Sequence, residues 1–197
     1  MKKKFSLKEV LIPTLALFLI SAVCTGILAF TNASTEEKIA ENQRQTELEM
    51  RMVVCPEAKS FSDEKTVSLD GENYTYVAAL DESSNEIGYV FTASSKGYGG
   101  TVTVMTGIAK DGNLTGIQTL ELNETAGLGM NAKKADYRDQ YKDKAGPFVV
   151  DKDKTADDNR DEISSLTGAT ITSRAVTDAV NKTVEIYNSL TGGENNG

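Results

Sequence analysis

The stretch Thr101–Leu122, TVTVMTGIAKDGNLTGIQTLEL, decides the fold. Apolar and polar residues alternate through Thr101–Ala109 and again through Leu114–Leu122, which is the period of a half-buried strand. Between the two runs lies Lys110-Asp111-Gly112-Asn113, and an Asp-Gly pair between alternating runs is a strong hairpin signal. The stretch therefore predicts two paired antiparallel strands at the core of the domain.

Two runs upstream of this hairpin extend the predicted sheet. Tyr74–Leu80 and Ile87–Ala93 are short and β-rich, and the turn residues Asp81–Asn85 separate them. Together with the helices expected downstream, these strands predict one α+β domain over residues 57–190, with an antiparallel sheet flanked by helices.

The part of the chain after the hairpin is expected to alternate between helix, strand and loop. We predict a short helix over Ala132–Tyr141 and one more strand at Phe148–Asp151. The charged run Asp151–Glu162 is predicted to be a solvated loop without a chemical role. A final helix is predicted over Ile171–Leu190, because apolar residues recur there at helical spacing. Residues 191–197 are expected to form a flexible tail.

The N-terminus combines a basic start with a long uncharged segment. Residues 1–9 carry four lysines and one glutamate, and Val10–Phe30 contains 21 residues without a charge. A membrane-spanning helix needs about 20 apolar residues, whereas the core of a signal peptide has about 7 to 15. The pattern predicts a single transmembrane helix over residues 10–30 in the cell membrane, with residues 1–9 cytoplasmic and the C-terminal domain extracytoplasmic. A cleaved secretory signal is the alternative, since Thr31-Asn32-Ala33 has the spacing of a cleavage site.

A polar, helix-favouring segment follows the apolar one. Ser34-Thr35-Glu36-Glu37 has the spacing of a capping box, which marks the start of a helix. The run Lys38–Met52 favours helix, and Pro56 is expected to end it. We predict a juxtamembrane stalk helix over residues 31–56, and a disordered linker of similar composition is the alternative.

Charge and composition exclude several classes of site. The formal net charge is −8, and the acidic excess lies beyond the basic N-terminus. An acidic body argues against nucleic-acid binding, because phosphate contacts need clustered Lys and Arg. The chain has no His, and only Cys55 lies outside the predicted span. Zinc, haem and iron–sulfur sites held by the protein, and an internal disulfide in the exported part, are therefore not expected.

The stretch Ser165–Val176, SLTGATITSRAV, places small hydroxyl residues at the start of the final helix. Thr170 is predicted to lie near the N-cap of that helix. The backbone N–H groups of Thr172 and Ser173 are then expected to be unpaired, with the positive end of the helix dipole behind them.

A phosphate group suits such a helix start. The pair Gly168-Ala169 leaves room for a ligand to approach the backbone, and Thr172, Ser173 and Arg174 can add donors. The alternative is that Thr170 only caps the helix and that the glycine serves a tight turn.

Three motifs give the chain a resemblance to a known family. They are GYGG at Gly97–Gly100, ETAGLG at Glu124–Gly129 and TGATITS at Thr167–Ser173. In this order they resemble the FMN-binding domain shared by the G subunit of Rnf complexes and the C subunit of Na⁺-translocating quinone reductases. The resemblance extends over nearly the whole chain, and it implies that the cofactor is FMN.

The resemblance also implies how the flavin is held. In that family the last threonine of the [ST]-G-A-T motif carries FMN through a phosphoester bond, and here that residue is Thr170. A separate flavin transferase takes FMN from FAD and attaches it. Its target pattern usually begins with Asp three residues before the [ST], whereas this chain has Ser164 there. A covalent tether suits an exported flavin, which no cellular pool replaces once it is lost.

The resemblance assigns the flavin ring to the loop Glu124–Gly129. Glycines let the backbone pass close to a flat ring, Leu128 can cover one face, and Glu124 or Thr125 can hydrogen-bond to a ring edge. The family usually has Pro where this chain has Ala126, and an ordinary glycine-rich loop is the alternative. The predicted cofactor contacts besides Thr170 are Glu124, Thr125, Leu128, Gly129, Thr167, Gly168, Ala169, Thr172 and Ser173.

Three tyrosines near these motifs have different expected roles. Tyr98 either lines the flavin or closes the sheet, and the sequence leaves both open. Tyr137 and Tyr141 lie one helical turn apart and are expected to be core contacts.

The resemblance implies an electron-carrying subunit and not an independent enzyme. FMN on Thr170 would take up electrons and pass them to redox centres in the partner membrane subunits of an Rnf complex, which couples ferredoxin:NAD⁺ oxidoreduction to ion translocation. The chain itself is expected to bind neither NAD nor ferredoxin, and no acid–base pair for catalysis is evident. The compact stretch between ETAGLG and TGAT favours the Rnf branch over the quinone-reductase branch. A non-redox membrane-anchored binding module and a stand-alone flavoprotein are the rival hypotheses.

Overall fold

A computed structural model describes residues 7–69 and 71–192 of the chain. The chain divides into two compact units, residues 1–47 and 48–197, which are described separately. Most of the predicted cytoplasmic N-terminus and of the predicted tail lies outside the described residues.

The described residues of the first unit form the greater part of one long helix, α1, which spans Leu7–Val54. It contains the segment Leu11–Glu36, which is long and apolar enough to cross a membrane, and whose side chains are exposed in the chain by itself. The helix continues through the position of the predicted capping box. Thr35 lies inside it, and its hydroxyl donates to the Thr31 carbonyl at 2.9 Å. The prediction of a new helix start at Ser34 is therefore wrong.

The second unit is built on a six-stranded antiparallel sheet. The predicted hairpin is confirmed with the bounds that the alternation gave, and the two upstream strands are one to three residues longer at their ends than predicted. Two short strands that were not predicted both pair with the third strand of the chain. The strands are β1 (Ser60–Phe61), β2 (Lys65–Leu69), β3 (Glu72–Leu80), β4 (Glu86–Lys96), β5 (Thr101–Ala109) and β6 (Leu114–Leu122).

Beyond β6 the chain forms short turns, two small strands and a long helix. The predicted short helix over Ala132–Tyr141 is instead a succession of three single turns, of which only α2 (Ala135–Arg138) is α-helical. Strand β7, Phe148–Val150, pairs in parallel with β8, Asp161–Ile163, so the predicted loop Asp151–Glu162 ends in a strand. Helix α3 spans Thr170–Thr191, as the helical spacing predicted to within one residue at each end.

The main core lies between one face of the sheet and α3. Tyr89 and Phe91 of β4 face it, whereas Val90 faces the other side, as the two-residue period of a strand requires. The predicted apolar stripe of α3 packs into this core, with Val176 and Val180 fully buried. Residues from Thr172 to Tyr187 are buried along α3, so the helix is held against the sheet over most of its length.

The last turn of α1 packs on the opposite face of the sheet, within the second unit. Gly107 and Gly116 are paired across β5 and β6, and Val54 is fully buried over them. A Cβ at Gly107 would overlap the Val54 carbonyl, whereas a Cβ at Gly116 would lie 3.4 Å from the Val54 Cα. The Thr115 hydroxyl donates to that same carbonyl. The absence of a side chain at Gly107 therefore lets the end of α1 pack directly against the sheet.

Cys55 follows the end of α1 and is also buried in this second cluster. Its sulfur lies 3.5 Å from the Thr115 hydroxyl. Burial raises the pKa of the Cys55 thiol, and this effect outweighs the opposing effect of the hydrogen bond between Cys55 and Thr115.

Candidate functional site

Three loops meet at the start of α3 and enclose a pocket of about 550 Å³. They are the three sequence motifs: one connects β4 to β5, one follows β6, and one precedes α3. A pocket of this size falls in the range of small-molecule sites. The lining residues are Tyr98, Glu124, Thr125, Leu128, Gly129, Gly168, Ala169, Thr170, Ile171 and Thr172. Of the predicted site residues, only Thr167 and Ser173 are not in this lining.

Thr170 is the first residue of α3, and Ala169 occupies the N-cap position without a side-chain cap. The Thr170 side chain is half-buried and lines the pocket. Among the described residues, its hydroxyl has no hydrogen-bond partner. The interpretation of Thr170 as a capping residue is therefore wrong, because a cap would accept from an amide of the first turn.

The first turn of α3 presents three backbone N–H groups toward the pocket. Those of Thr170, Ile171 and Thr172 have no acceptor in the described part of the chain, as expected for the start of a helix. The prediction of a free amide at Ser173 is wrong, since its N–H donates to the Ala169 carbonyl at 3.0 Å. Free amides and the helix dipole together make a place that favours an anion.

Thr172 adds a hydroxyl to this place. The residue is only 1 % exposed, yet within the described chain its hydroxyl makes no hydrogen bond. A Cβ at Gly129 would lie 2.6 Å from this hydroxyl oxygen, so the glycine leaves the oxygen uncovered. Buried polar groups normally have partners, and an unpartnered hydroxyl in the wall of a pocket indicates that a ligand supplies one.

Glu124 joins two of the three loops. Its Oε1 accepts a hydrogen bond from the Tyr98 N–H at 2.8 Å. A Cβ at Gly97 would overlap that oxygen, and a Cβ at Gly129 would lie 3.0 Å from Oε2. The carboxylate is thus enclosed between the GYGG and ETAGLG loops at the wall of the pocket.

Three apolar side chains remain exposed around the pocket. Tyr98 is 72 % exposed, Leu128 41 % and Ile171 49 %, and all three line the pocket. Tyr98 therefore does not close the sheet, and its other predicted role, lining the flavin, stays a prediction. Ile171 was not among the predicted site residues. The sequence could have indicated Ile171, because this apolar residue lies outside the apolar stripe of α3 and so does not face the core.

Thr167 lies outside the pocket, in a neighbouring groove. It is exposed and lines a separate groove with Lys134 and Gln140, and Leu128 borders both cavities. Gln140 holds the start of the loop before α3, because its amide oxygen accepts from the Ser164 N–H at 2.7 Å. Thr167 is thus near the site without contributing to its wall.

The charged loop after β7 is hydrogen-bonded to residues on both sides of the TGAT turn. Arg174 donates from Nε to Asp153 at 2.6 Å, in a two-bond ion pair, so it is not the free phosphate donor that was predicted. The Arg174 guanidinium lowers the pKa of Asp153. Hydrogen bonds from Ser165 lower the pKa of Asp151 in the same way. The loop predicted to have no chemical role therefore has a structural one, because it bonds to residues on both flanks of the TGAT turn.

Tyr137 and Tyr141 are core residues, as predicted. Tyr141 is fully buried, and its hydroxyl lies 2.8 Å from that of Thr177 on α3. The Tyr137 hydroxyl donates to the Ser173 carbonyl at 3.4 Å. Burial raises the pKa of both phenols, so they stay neutral and fix the first two turns of α3.

Two family profiles match two different parts of the chain. The family profile described as "FMN-binding domain" matches residues 97–185, and the profile described as "RnfG N-terminal region" matches residues 1–52. The G subunit of the Na⁺-translocating ferredoxin:NAD⁺ oxidoreductase complex of Acetobacterium woodii is 39 % identical over 89 % of this chain and 90 % of its own length. The chain belongs to the RnfG family. The G subunit of the proton-translocating ferredoxin:NAD⁺ oxidoreductase complex of Clostridium ljungdahlii is 36 % identical over 85 % of this RnfG-family chain and 86 % of its own length.

A solved structure also resembles this RnfG-family chain. The crystal structure of the C subunit of the Na⁺-translocating NADH-quinone reductase of Parabacteroides distasonis has a TM-score of 0.49 at 19 % identity. The likeness covers 67 % of this chain and 75 % of that one. The described residues contain no group of three or more His, Cys, Asp or Glu that could hold a metal ion.

Ser173 has a structural role in the RnfG-family site. It is fully buried, its hydroxyl donates to the Ala169 carbonyl at 3.1 Å, and it accepts from the Leu166 N–H at 2.9 Å. Both bonds close the TGAT loop onto α3. The expectation that Ser173 contacts the cofactor is therefore corrected: its hydroxyl shapes the loop that carries Thr170.

We expect Ser173→Ala to destabilise the second unit by about 1–3 kcal/mol, because the Leu166 N–H loses its buried acceptor. The free energy of unfolding in urea measures this. Ser94→Ala is the matched control, since the exposed Ser94 hydroxyl bonds only to the Thr103 hydroxyl and such surface changes cost about 0.5 kcal/mol or less. Equal losses in the two variants would contradict the role of Ser173.

Proposed function

We propose that this RnfG-family chain is the electron-transfer G subunit of a membrane-bound Rnf complex, with FMN attached by a phosphoester to the Thr170 hydroxyl. Such a complex couples ferredoxin:NAD⁺ oxidoreduction to ion translocation. The names of the two similar G subunits support this function, and they specify different ions, so we assign no ion to this chain. Family membership and the FMN-binding domain match support FMN as the cofactor.

One observation carries the covalent attachment. Thr170 lines the pocket at the first position of α3, and its hydroxyl is unpartnered among the described residues. A phosphate joined to this oxygen would lie beside three free amides at the positive end of the helix dipole. The unpartnered Thr172 hydroxyl supports the same placement, because it offers one more donor to a phosphate oxygen.

Three apolar residues of the pocket lining fit a flat, largely apolar ring. Leu128 and Ile171 offer aliphatic surface and Tyr98 offers an aromatic ring, and all three are exposed enough for a ligand to cover them. Covering them would remove apolar surface from water, which favours binding by about 25 cal/mol per Å². Gly129 lets the ring approach the backbone, because it adds no side chain beside Thr172.

The roles of the individual residues follow from this arrangement. Bound FMN supplies the reversible uptake and release of electrons. Thr170 fixes the phosphate end, and the Thr172 hydroxyl and the first-turn amides donate hydrogen bonds to it. Tyr98, Leu128 and Ile171 exclude water from the ring. Three residues have a structural role and do not contact the cofactor, because they hold the segment that carries Thr170: Ser173, Gln140 and Arg174.

The proposal includes the surroundings of the subunit. Residues 10–30 form a retained membrane anchor, residues 31–56 a stalk and residues 57–190 an extracytoplasmic FMN domain, with residues 1–9 in the cytoplasm. The segment Leu11–Glu36 supports the anchor by length and composition, and the basic N-terminus supports this topology. The partners are the remaining membrane subunits of the complex and a flavin transferase that matures the chain.

Mass spectrometry of the tryptic peptide that contains Thr170 tests the proposal. We expect this peptide, from the chain purified out of its native membrane, to carry the added mass of FMN less one water, with fragmentation placing it on Thr170. An unmodified peptide would exclude the covalent flavin and favour the non-redox binding module. A modified peptide from a chain that purifies without membrane partners would favour the stand-alone flavoprotein.

A further inference from the structure

The wall of the pocket carries one carboxylate, Glu124, that is held in place and has no counter-ion among the described residues. We propose that the charge of Glu124 lowers the midpoint potential of the flavin in this pocket. The inference rests on the proposed function, since it concerns the cofactor placed there.

The carboxylate is fixed by contacts on both sides. Oε1 accepts from the Tyr98 N–H at 2.8 Å, and the bare Cα atoms of Gly97 and Gly129 flank the two oxygens. A long side chain held at this end loses its rotational freedom when the chain folds. Its charge therefore stays at the pocket wall and does not swing out into solvent.

No cation of the described chain neutralises this carboxylate. Glu124 takes part in no ion pair across residues 7–69 and 71–192, and the lining of the pocket contains no Lys or Arg. The arginine next to the motif, Arg174, is already paired with Asp153. Glu124 is thus the only carboxylate among the described lining residues, and its charge is not cancelled locally.

The charge of Glu124 lies in the pocket proposed for the ring. The positive end of α3 suits the phosphate, and Glu124 shares the lining with Tyr98 and Leu128, two of the side chains proposed to cover the ring. Each electron added to the ring would bring negative charge toward a fixed negative group, and like charges repel each other. Reduction is therefore disfavoured, which means a lower midpoint potential.

This role differs from the ring-edge hydrogen bond that the sequence predicted for Glu124. A carboxylate accepts hydrogen bonds and donates none, and Oε1 is already used by Tyr98. The substitution Glu124→Gln removes the negative charge and keeps the shape of the side chain. Gln has the same length, and its Oε1 can still accept from the Tyr98 N–H.

The test is a spectroelectrochemical titration of the flavin-loaded full chain in detergent. At the wild-type midpoint, we expect Glu124→Gln to raise the ratio of reduced to oxidised flavin about tenfold, which is a rise of about 30 mV for a two-electron couple. The matched control is Glu121→Gln, because Glu121 is exposed, lies outside the pocket lining and differs by the same charge. Its midpoint should equal that of the wild type.

The outcomes separate this inference from the proposed function. A flavin-loaded Glu124→Gln chain with the wild-type midpoint overturns the inference and leaves the proposed function standing. A wild-type chain without flavin overturns the proposed function. If Glu124→Gln does not fold, infrared difference spectra of the ¹³C-glutamate-labelled wild type decide: a carboxylate band that shifts on flavin reduction supports the inference, and an unshifted band overturns it.

Discussion

Replacing Thr170 by alanine is expected to abolish covalent flavin completely, because a phosphoester cannot form without the hydroxyl oxygen. When the chain is produced together with a flavin transferase, the wild type should give a fluorescent band after denaturing electrophoresis. Thr170→Ala should give none at equal protein loading. The fold should be unaffected, since the Thr170 side chain is half-buried and its hydroxyl makes no hydrogen bond within the described chain.

Two further variants locate the attachment within the motif. Thr167→Ala should lower fluorescence much less than Thr170→Ala, because Thr167 is exposed and lies outside the pocket. Thr170→Ser keeps a hydroxyl at the same backbone position and should retain part of the signal. Fluorescence that survives in Thr170→Ala and disappears in Thr167→Ala would show that we have placed the ester on the wrong residue.

Gly107→Ala is expected to destabilise the second unit strongly, although it adds only one methyl group. The added Cβ would overlap the backbone carbonyl of Val54, and a backbone carbonyl cannot rotate away as a flexible side chain can. Overpacking of this kind costs typically 1–3 kcal/mol and occasionally more, and the Thr115 hydrogen bond to the same carbonyl would also be strained. We expect a loss of about 3 kcal/mol in the free energy of unfolding, measured by circular dichroism in urea.

Gly116→Ala is the internal control for this effect. It adds the same methyl group to the neighbouring strand, directly across from Gly107, where the nearest Val54 atom would be an ordinary 3.4 Å away. Its loss should be about 1 kcal/mol or less, since a methyl group at ordinary van der Waals distance does not overpack the site. Similar losses in the two variants would mean that the end of α1 does not rest on Gly107.

The sequence predicts the centre of this fold better than its edges. The hairpin of β5 and β6 follows from alternation and an Asp-Gly turn, both of which are local. β1 has two residues and β8 three, too few to show a period, and both exist because a partner strand is close in space. The single helix predicted over Ala132–Tyr141 breaks into turns because the backbone is extended at Lys134 (φ −72°, ψ 145°).

The candidate site divides in the same way. The motifs bring Glu124, Leu128 and Thr170 to one pocket, as the resemblance implied. Sequence cannot reveal that Ser173 and Arg174 are already occupied, because their partners Leu166 and Asp153 are identified only by folding. Ile171 was missed because an apolar residue in a helix suggests a core position until the direction of the stripe is known.

The burial of Cys55 has a consequence for the resistance of the second unit to oxidation. Disulfide exchange requires a thiolate that another sulfur can reach. Cys55 is 4 % exposed, and its raised pKa keeps the thiol protonated. Even in oxidising surroundings, the second unit should therefore form no cross-link through Cys55 to neighbouring molecules or to small thiols, without needing a reductase to maintain it.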